Sequence, residues 1–508
     1  NLATLSRSPT VWGDEVMFSE AAVRYWAGHG FTVTSWPAAP GTLGVLNGPL
    51  HTLLLVPWMG LWGVSATASR SLGLALVGLS AVVLWGLVRR RGWVRSAGLR
   101  LAGVGVMLCG HGVAAAARSG RYDGLGMLMV ATAVALAARP DAAGRDWRRD
   151  AGLALLGVAV PWAGVYLLPY GALLAGVATL LGGRAGWRRV APGVAGVALG
   201  IPAWVLAHHL MGTLSAVAAF TVGQAGQPLS ARLAGLPAGL ARDVSVVPLL
   251  AVLMATMACG LAGGRRAAGG GGGRHEPSGA LPGAVGAQEV HGRRRGPTCP
   301  AGDLAVAAAG LLAGLGVPVW MTLAGKYTLF YAWMAYVPAL GAALVLLDRL
   351  TGVGAARRRR VGGLAILAAL ALAALVGLPL RLAACALEWD QRDHRAMERL
   401  VEAHLASSDV VVSGPEAYYA SARRCRETLA VVAPVSWPGG IPSRVTALVG
   451  GAGLGGCLGD MGPEWTAVAR YAPAPYRWPW RLGRTRWYDV TVWRRSAGGE
   501  RGARSGEE

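Results

Sequence analysis

Charge is confined to the ends of ten long apolar stretches of this 508-residue chain, and that confinement limits the folds open to it. The stretches cover roughly 70–88, 99–117, 120–138, 151–168, 169–183, 190–211, 243–263, 302–322, 328–348 and 361–384. Most hold the ~20 apolar residues that carry a helix across a bilayer core, where each backbone N–H and C=O must be bonded within its own segment. The stretch at 169–183 is shorter, and its boundary falls at Leu168-Pro169-Tyr170. Only 15% of residues are charged, against about 25% in soluble domains. The fold class expected is an all-α multispan membrane protein with a small α/β domain at its C-terminal end.

The net charge of +22 invites a nucleic-acid reading, but its distribution argues against one. The loops at 89–100, 139–150, 184–189, 264–300 and 349–360 hold 23 arginines in all, whereas the alternate loops at 118–123, 212–242 and 322–327 hold five basic residues. That asymmetry follows the positive-inside rule, so the arginine-rich loops are assigned to the cytoplasm. The N-terminal segment, the loop at 118–123, Lys326 and the C-terminal domain then face outside. Ten spans after an outside start return the chain to the outside. No apolar segment precedes Asp14, so an eleventh span N-terminal to Asn1 is expected to deliver it there.

The organisation follows. Residues 1–69 read as a first outer loop with interfacial helices, among them GPLHTLLLVPWMGLWG at 48–63, too short and too broken by Pro49 and Pro57 to span. A seven-span core covers 70–263, a Gly/Arg-rich cytoplasmic linker 264–301, and three more spans 302–384. The outside α/β domain covers 385–495. In it RDHRAMERLVEAHL reads as an amphipathic helix, DVVVSGPEAYYASARRC as strand, turn and helix, and RVTALVGG and YDVTVWRR as strands. Residues 496–508 read as a tail. Of the six cysteines none has metal-ligand spacing; Cys425 and Cys457, both in the outside domain, are a candidate disulfide.

Carboxylates are scarce, with 26 in the chain, and two adjacent ones stand in TVWGDEVMFSEAAVRYW. Asp14 either caps the following helix or, with Glu15, does chemistry at the outer surface. In ARSGRYDGLGM, Arg118, Arg121 and Asp123 crowd a short hairpin between two spans, where charge is costly unless paired or used. Two arginines suit a phosphate, and an Arg–Asp pair closing the hairpin is the alternative. Lys326 is the single lysine and sits at the outer mouth of a span beside Tyr327, either gripping an anion or snorkelling.

The order of these motifs resembles a family. An Asp-Glu pair comes first, then Asn47-Gly48-Pro49-Leu50-His51, a Leu-rich segment ending in Leu-Trp-Gly, and SATASRSLGLALVG with Arg70. Arg-x-x-Arg-Tyr-Asp, a late Lys-Tyr-x-x-x-Tyr span and DVVVSGPEAYY follow. This is similar to the membrane-embedded C-type glycosyltransferases, near the bacterial protein O-mannosyltransferase and aminoarabinose-transferase-like (glycosyltransferase family 39-like) group. The resemblance covers most of residues 8–495. It implies a bacterial plasma-membrane enzyme that moves a sugar from a polyprenyl-phosphate donor to an acceptor hydroxyl on a protein, glycolipid or cell-wall polymer. It further implies Asp14 as base with Glu15 as helper, Arg118, Arg121 and Lys326 on the donor phosphate, and Asp123, His51 and Tyr327 on the substrate. Asn47, Gly48 and His51 depart from the family's usual His-Pro-Pro-Leu-Tyr-like turn. No metal is assigned, and a divalent cation remains compatible with the family. The competing function is a multispan lipid or polysaccharide flippase, which would carry charge deep within its spans. Here mid-span positions are mainly Ala, Leu, Val and Gly.

Overall fold

The computed structural model describes residues 2–9, 11–35, 48–139, 146–215, 217–218, 228–242, 246, 300–324, 333–350, 357–432, 441–451, 454, 462–473 and 488–496. The sequence-expected span at 243–263 lies outside them except for residue 246, as does almost all of the linker at 264–301.

The chain is mainly helical. Helices α1 (Gly13–Trp26) and α2 (Pro49–Trp62) precede the first long apolar helix, α3 (Ala66–Arg91). Then come α4 (Ala97–Cys109), α5 (His111–Ala117), α6 (Asp123–Ala137), α7 (Trp147–Ala163) and α8 (Leu168–Leu210). Helices α9 (Leu229–Arg242), α10 (Pro300–Leu323), α11 (Tyr336–Leu350), α12 (Arg357–Leu375) and α13 (Leu378–Leu387) complete the apolar part.

Among the described residues, four helical segments are long and apolar enough to cross a membrane: Ala66–Arg91, Gly182–Leu210, Trp333–Leu350 and Arg360–Leu387. The α4–α5 pair makes a fifth if its 58° bend lies within one span, and shorter apolar helices run over Asp123–Ala137, Val165–Leu180 and Ala308–Leu323. The stretch at 48–63 forms α2, with Leu53, Leu54, Leu61 and Trp62 exposed on it. That surface suits a helix lying at an apolar boundary.

Two spans expected at 169–183 and 190–211 share the continuous helical segment α8, but Gly183 breaks it with φ 53° and ψ −138°. A left-handed φ costs a side-chain-bearing residue, and glycine adopts it freely. The chain turns back there, so a Cβ on Gly186 would strike the Ala178 carbonyl. Beyond the turn, Gly193, Gly196 and Gly200 meet Leu153, Ala154 and Val158 of α7 with backbones in near contact. Small residues at such crossings let packing replace the hydrophobic drive that lipid does not supply.

The C-terminal domain holds α14 (His394–His404), β1 (Val410–Ser413), α15 (Tyr418–Arg424), β2 (Glu427–Ala430), β3 (Ala447–Gly450), β4 (Trp465–Tyr471) and β5 (Val490–Arg495). The sheet order is β2-β1-β3-β5-β4. Strand β1 runs parallel to both β2 and β3, with Val412 opposite Leu429 and Leu448, and β5 is antiparallel to β3 and β4. Met397 and Val401 of α14 pack with Val411, Val449, Val490 and Val492 on one face. Asp393 caps α14 by accepting from the Arg395 N–H at 3.1 Å. Cys425 carries a free thiol, and its candidate partner Cys457 lies outside the described residues.

Candidate active site

The first turn of α1 brings the two acids together in sequence and sends them apart in space. The N-cap position is Trp12, so Asp14 stands inside the helix and does not cap it. Asp14 and Phe18 are four residues apart and share one face, and Glu15 and Ser19 share the next.

Asp14 forms an ion pair with Arg121, which also donates from Nε to Asp123 Oδ2 at 3.1 Å. Asp14 is 36% exposed, Arg121 2% and Asp123 0%. One guanidinium is therefore divided between a half-open carboxylate and a closed one. Aromatic rings wall it in: its Cζ lies 5.7 Å from the Trp12 ring, 5.5 Å from Phe18 and 5.4 Å from Tyr122. Phe18 packs edge-on to Tyr122 at 4.4 Å, and Tyr122 stacks on Tyr166 at 4.5 Å. Trp12 Nε1 donates to the Ser119 carbonyl at 3.2 Å, fastening the 118–123 loop to the start of α1. Asp123 Oδ1 is buried without a hydrogen-bond partner among the described residues.

Glu15 faces the other way. Its carboxylate accepts from Arg70 Nε at 2.9 Å and Nη2 at 2.7 Å, and Arg70 Nη1 donates to the Leu5 carbonyl at 2.7 Å. Both side chains are wholly buried. Burial raises the Glu15 carboxyl, and the Arg70 charge and hydrogen bonds pull it back down. Gly120 lies against this carboxylate. With φ +66°, a Cβ there would stand 2.6 Å from Glu15 Cγ and 2.9 Å from Ser69 Oγ. Only glycine lets the loop pass so close.

Arg118 is buried and turned toward the N-terminal segment, donating to the Ser8 carbonyl at 2.8 and 3.0 Å and to the Thr4 carbonyl at 2.5 Å. His51 of α2 is buried behind the cluster beside the Gly120 backbone, and burial lowers its imidazole to about 4. It is therefore neutral at physiological pH. Lys326 and Tyr327 lie outside the described residues. The structure thus brings Asp14, Arg121 and Asp123 into one cluster, and sets Glu15, Arg118 and His51 behind it.

Residue spacing did not single out Arg70, Trp12, Phe18 or Tyr122 as parts of this cluster. Arg70 carried the available signal, a charge near the start of an apolar span. No group of three or more His, Cys, Asp or Glu residues among those described could hold a metal ion. A cavity of about 30 Å³ lies elsewhere, at the α4–α5 bend, lined by Gly110, His111, Trp333 and Tyr336 among others. It has room for water and not for a sugar.

No protein-family model and no curated protein matches this chain. Among solved structures it is similar to ArnT from Cupriavidus metallidurans bound to undecaprenyl phosphate. The identity is 13% and the TM-score 0.40, with 98% of this chain and 96% of that one covered. A likeness this loose carries no residue role across.

Proposed function

We propose that this chain is an integral-membrane glycosyltransferase that moves a sugar from a polyprenyl-phosphate donor to an acceptor hydroxyl at the outer face of a bacterial plasma membrane. The observation that supports it is the Asp14–Arg121–Asp123 cluster: a half-open carboxylate, held by a buried arginine, beside a hairpin between apolar helices.

In this reading Asp14 accepts the proton of the acceptor hydroxyl as its oxygen attacks C1 of the sugar. The C1–O bond to phosphate breaks, and its electron pair leaves with the phosphate. A positioned carboxylate serves the first event, and a fixed cation serves the second. Arg121 orients Asp14, and Asp123 holds Arg121 from behind. Lys326 carries the charge for the departing phosphate, and Tyr327 flanks the sugar. Glu15 and Arg118 act through the frame: one fixes α1 to α3, the other fixes the N-terminal segment to the second loop. The acceptor is a hydroxyl of a protein, glycolipid or cell-wall polymer.

Membranes carrying the protein are supplied with radiolabelled polyprenyl-phosphate sugars, and release of lipid phosphate is followed. Asp14→Asn is expected to lower transfer by about 10²–10⁴-fold, the range for losing a general base. Donor binding is expected to persist. A variant that transfers as fast as the wild type refutes the assignment.

A further inference from the structure

The turn between α3 and α4 holds a dense run of charge that the candidate active site does not use. From Trp85 to Arg100 the chain reads WGLVRRRGWVRSAGLR, with five arginines and no acid. Arg89, Arg90, Arg91 and Arg95 are exposed, and no described carboxylate pairs with any of them. The basic loop at 139–150 differs. There Arg139 stands 3.9 Å from Asp146, and Arg149 stands 2.9 Å from Asp150.

One acid does reach the turn, and it is already taken. Asp348 of α11 accepts from the backbone N–H of Arg95 at 3.1 Å and of Ser96 at 3.2 Å. It fixes the start of α4 and leaves the arginine side chains to solvent. The turn itself is firmly held. Gly92 closes α3 with φ 60° and its N–H on the Arg89 carbonyl, a conformation that glycine adopts freely. Val94 is buried beneath the turn. Arg100 Nη1 donates to the Val94 and Arg95 carbonyls at 3.0 and 3.2 Å, and its Cζ lies 5.7 Å from the Trp85 ring. The backbone that carries the four exposed arginines is therefore set in place before any partner arrives.

Two features choose the partner. The first is position. Helix α3 runs from Arg70, beside the candidate active site, to Arg91. At the rise of an α-helix these residues stand about 30 Å apart, the thickness of a bilayer core. The arginines thus lie at the membrane surface opposite Asp14. Leu79 and Val82 of α3 and Leu101 of α4 are exposed on the apolar side of the turn, and Trp93 is exposed among the arginines. That order, from apolar surface to aromatic ring to cations, matches the passage from lipid tail to headgroup. The second feature is spread. Arg89, Arg90 and Arg91 are consecutive, so they fan around the helix in steps of about 100°. They do not converge on one anion, but they can each meet a different headgroup.

We propose that the α3–α4 turn, through Arg89, Arg90, Arg91 and Arg95, docks on anionic phospholipid headgroups at the membrane surface opposite the candidate active site. This contact does not depend on the transferase reading.

The test uses the full chain in nanodiscs of phosphatidylcholine with a minor fraction of phosphatidylglycerol, followed by detergent extraction and native mass spectrometry of retained lipid. Wild type is expected to retain phosphatidylglycerol over phosphatidylcholine. A basic residue near an anionic surface contributes about fivefold, so Arg90→Gln/Arg91→Gln/Arg95→Gln is expected to lower that preference by about tenfold or more. The matching triple Lys variant is expected to keep it, because the headgroups meet a surface of charge and not one planar fork. Arg395→Gln/Arg399→Gln/Arg470→Gln removes the same charge from exposed positions of the C-terminal domain and is expected to leave the preference unchanged. Unchanged thermal unfolding of the turn variant in pure phosphatidylcholine shows that it is folded. If it does not fold, Arg91→Gln alone gives the same reading with a loss of about fivefold. Equal retention by wild type and the turn variant overturns the proposal. So does an equal loss in the C-terminal variant, which assigns the preference to net charge alone. Displacement of the lipid by millimolar inorganic phosphate overturns it as well, because it assigns the turn to a free anion.

Discussion

Removing Arg70 should cost far more than removing Arg70 and Glu15 together. The structure sets the terms. Arg70 makes two hydrogen bonds to Glu15 and one to the Leu5 carbonyl, and neither charged side chain reaches solvent. Arg70→Leu strands a buried carboxylate, a loss worth about 3–5 kcal/mol. The Leu5 carbonyl loses its donor as well, adding about 1–3 kcal/mol if no water replaces it. Glu15→Leu alone strands the guanidinium, again at about 3–5 kcal/mol. In the double variant Glu15→Leu/Arg70→Leu neither charge is left, and only the Leu5 carbonyl and packing terms remain, about 1–3 kcal/mol. The singles therefore overestimate the double by several kcal/mol. The assay is a double-mutant cycle on unfolding in mixed detergent micelles near neutral pH, with all four proteins in one detergent. Single-variant losses that add to within about 0.5 kcal/mol would mean that the pair is not coupled, and the placement of Glu15 against Arg70 would be refuted.

Two further outcomes follow from the same region. His51 has a folded value of about 4 against the ordinary 6.5. A base with a lowered folded value contributes stability that is full above the unfolded value and is lost as pH falls toward the folded one. Between pH 7.5 and 5 the loss is about 2 kcal/mol by linkage. His51→Gln should remove that part of the acid sensitivity, as measured by unfolding across the same pH range; an unchanged slope contradicts the buried placement. Gly120→Ala meets both a left-handed φ and the Glu15 side chain. It should cost about 1–3 kcal/mol in unfolding and lower transfer activity with it, and a neutral substitution would show that the loop does not press on Glu15.

Much of the architecture was legible because lipid permits few solutions. Apolar length marked the long helices, short apolar β-branched runs beside glycine marked β1 and β3, and alternation marked β5. The amphipathic stripe in RDHRAMERLVEAHL marked α14, which starts at His394. Strand β2 was not legible: ETLA is four residues with no alternation, and it becomes a strand by pairing with β1. Strand β4 likewise needs β5. At the site, the grouping of Arg118, Arg121 and Asp123 could be read from their crowding in one hairpin, but their facing could not. Arg118 and Arg121 are three residues apart, yet one binds carbonyls of the N-terminal segment and the other binds Asp14. That split is decided by Thr4 and Ser8, more than a hundred residues away in sequence. The Glu15–Arg70 contact spans 55 residues and has no local signature.

The buried ion pair has a further meaning once stability is set aside. Well-packed apolar residues often stabilise a core as much as a buried charge pair does, so such a pair is weak evidence for stability. Its use here is to set the rotation of α1. Successive helical residues stand about 100° apart, so a phase error of one residue would exchange Asp14 with Glu15. Apolar packing alone tolerates that slip poorly but does not forbid it, since Val16, Phe18, Ala21, Ala22 and Val23 bury much of the helix. A bidentate carboxylate–guanidinium contact is directional and forbids it. The C-terminal domain adds a second lock on the same helix. Ser19, on the face of Glu15, bonds the Tyr419 hydroxyl at 2.8 Å, and Arg24 donates to the Thr428 carbonyl at 3.3 Å. Glu20 holds the Thr34 and Ser35 N–H groups at 2.7 and 2.9 Å, and Thr34 Oγ1 in turn accepts from the Ala430 N–H at 2.8 Å. Membrane helix α3 and the C-terminal sheet thus grip α1, and Asp14, half-open in its first turn, is turned onto Arg121.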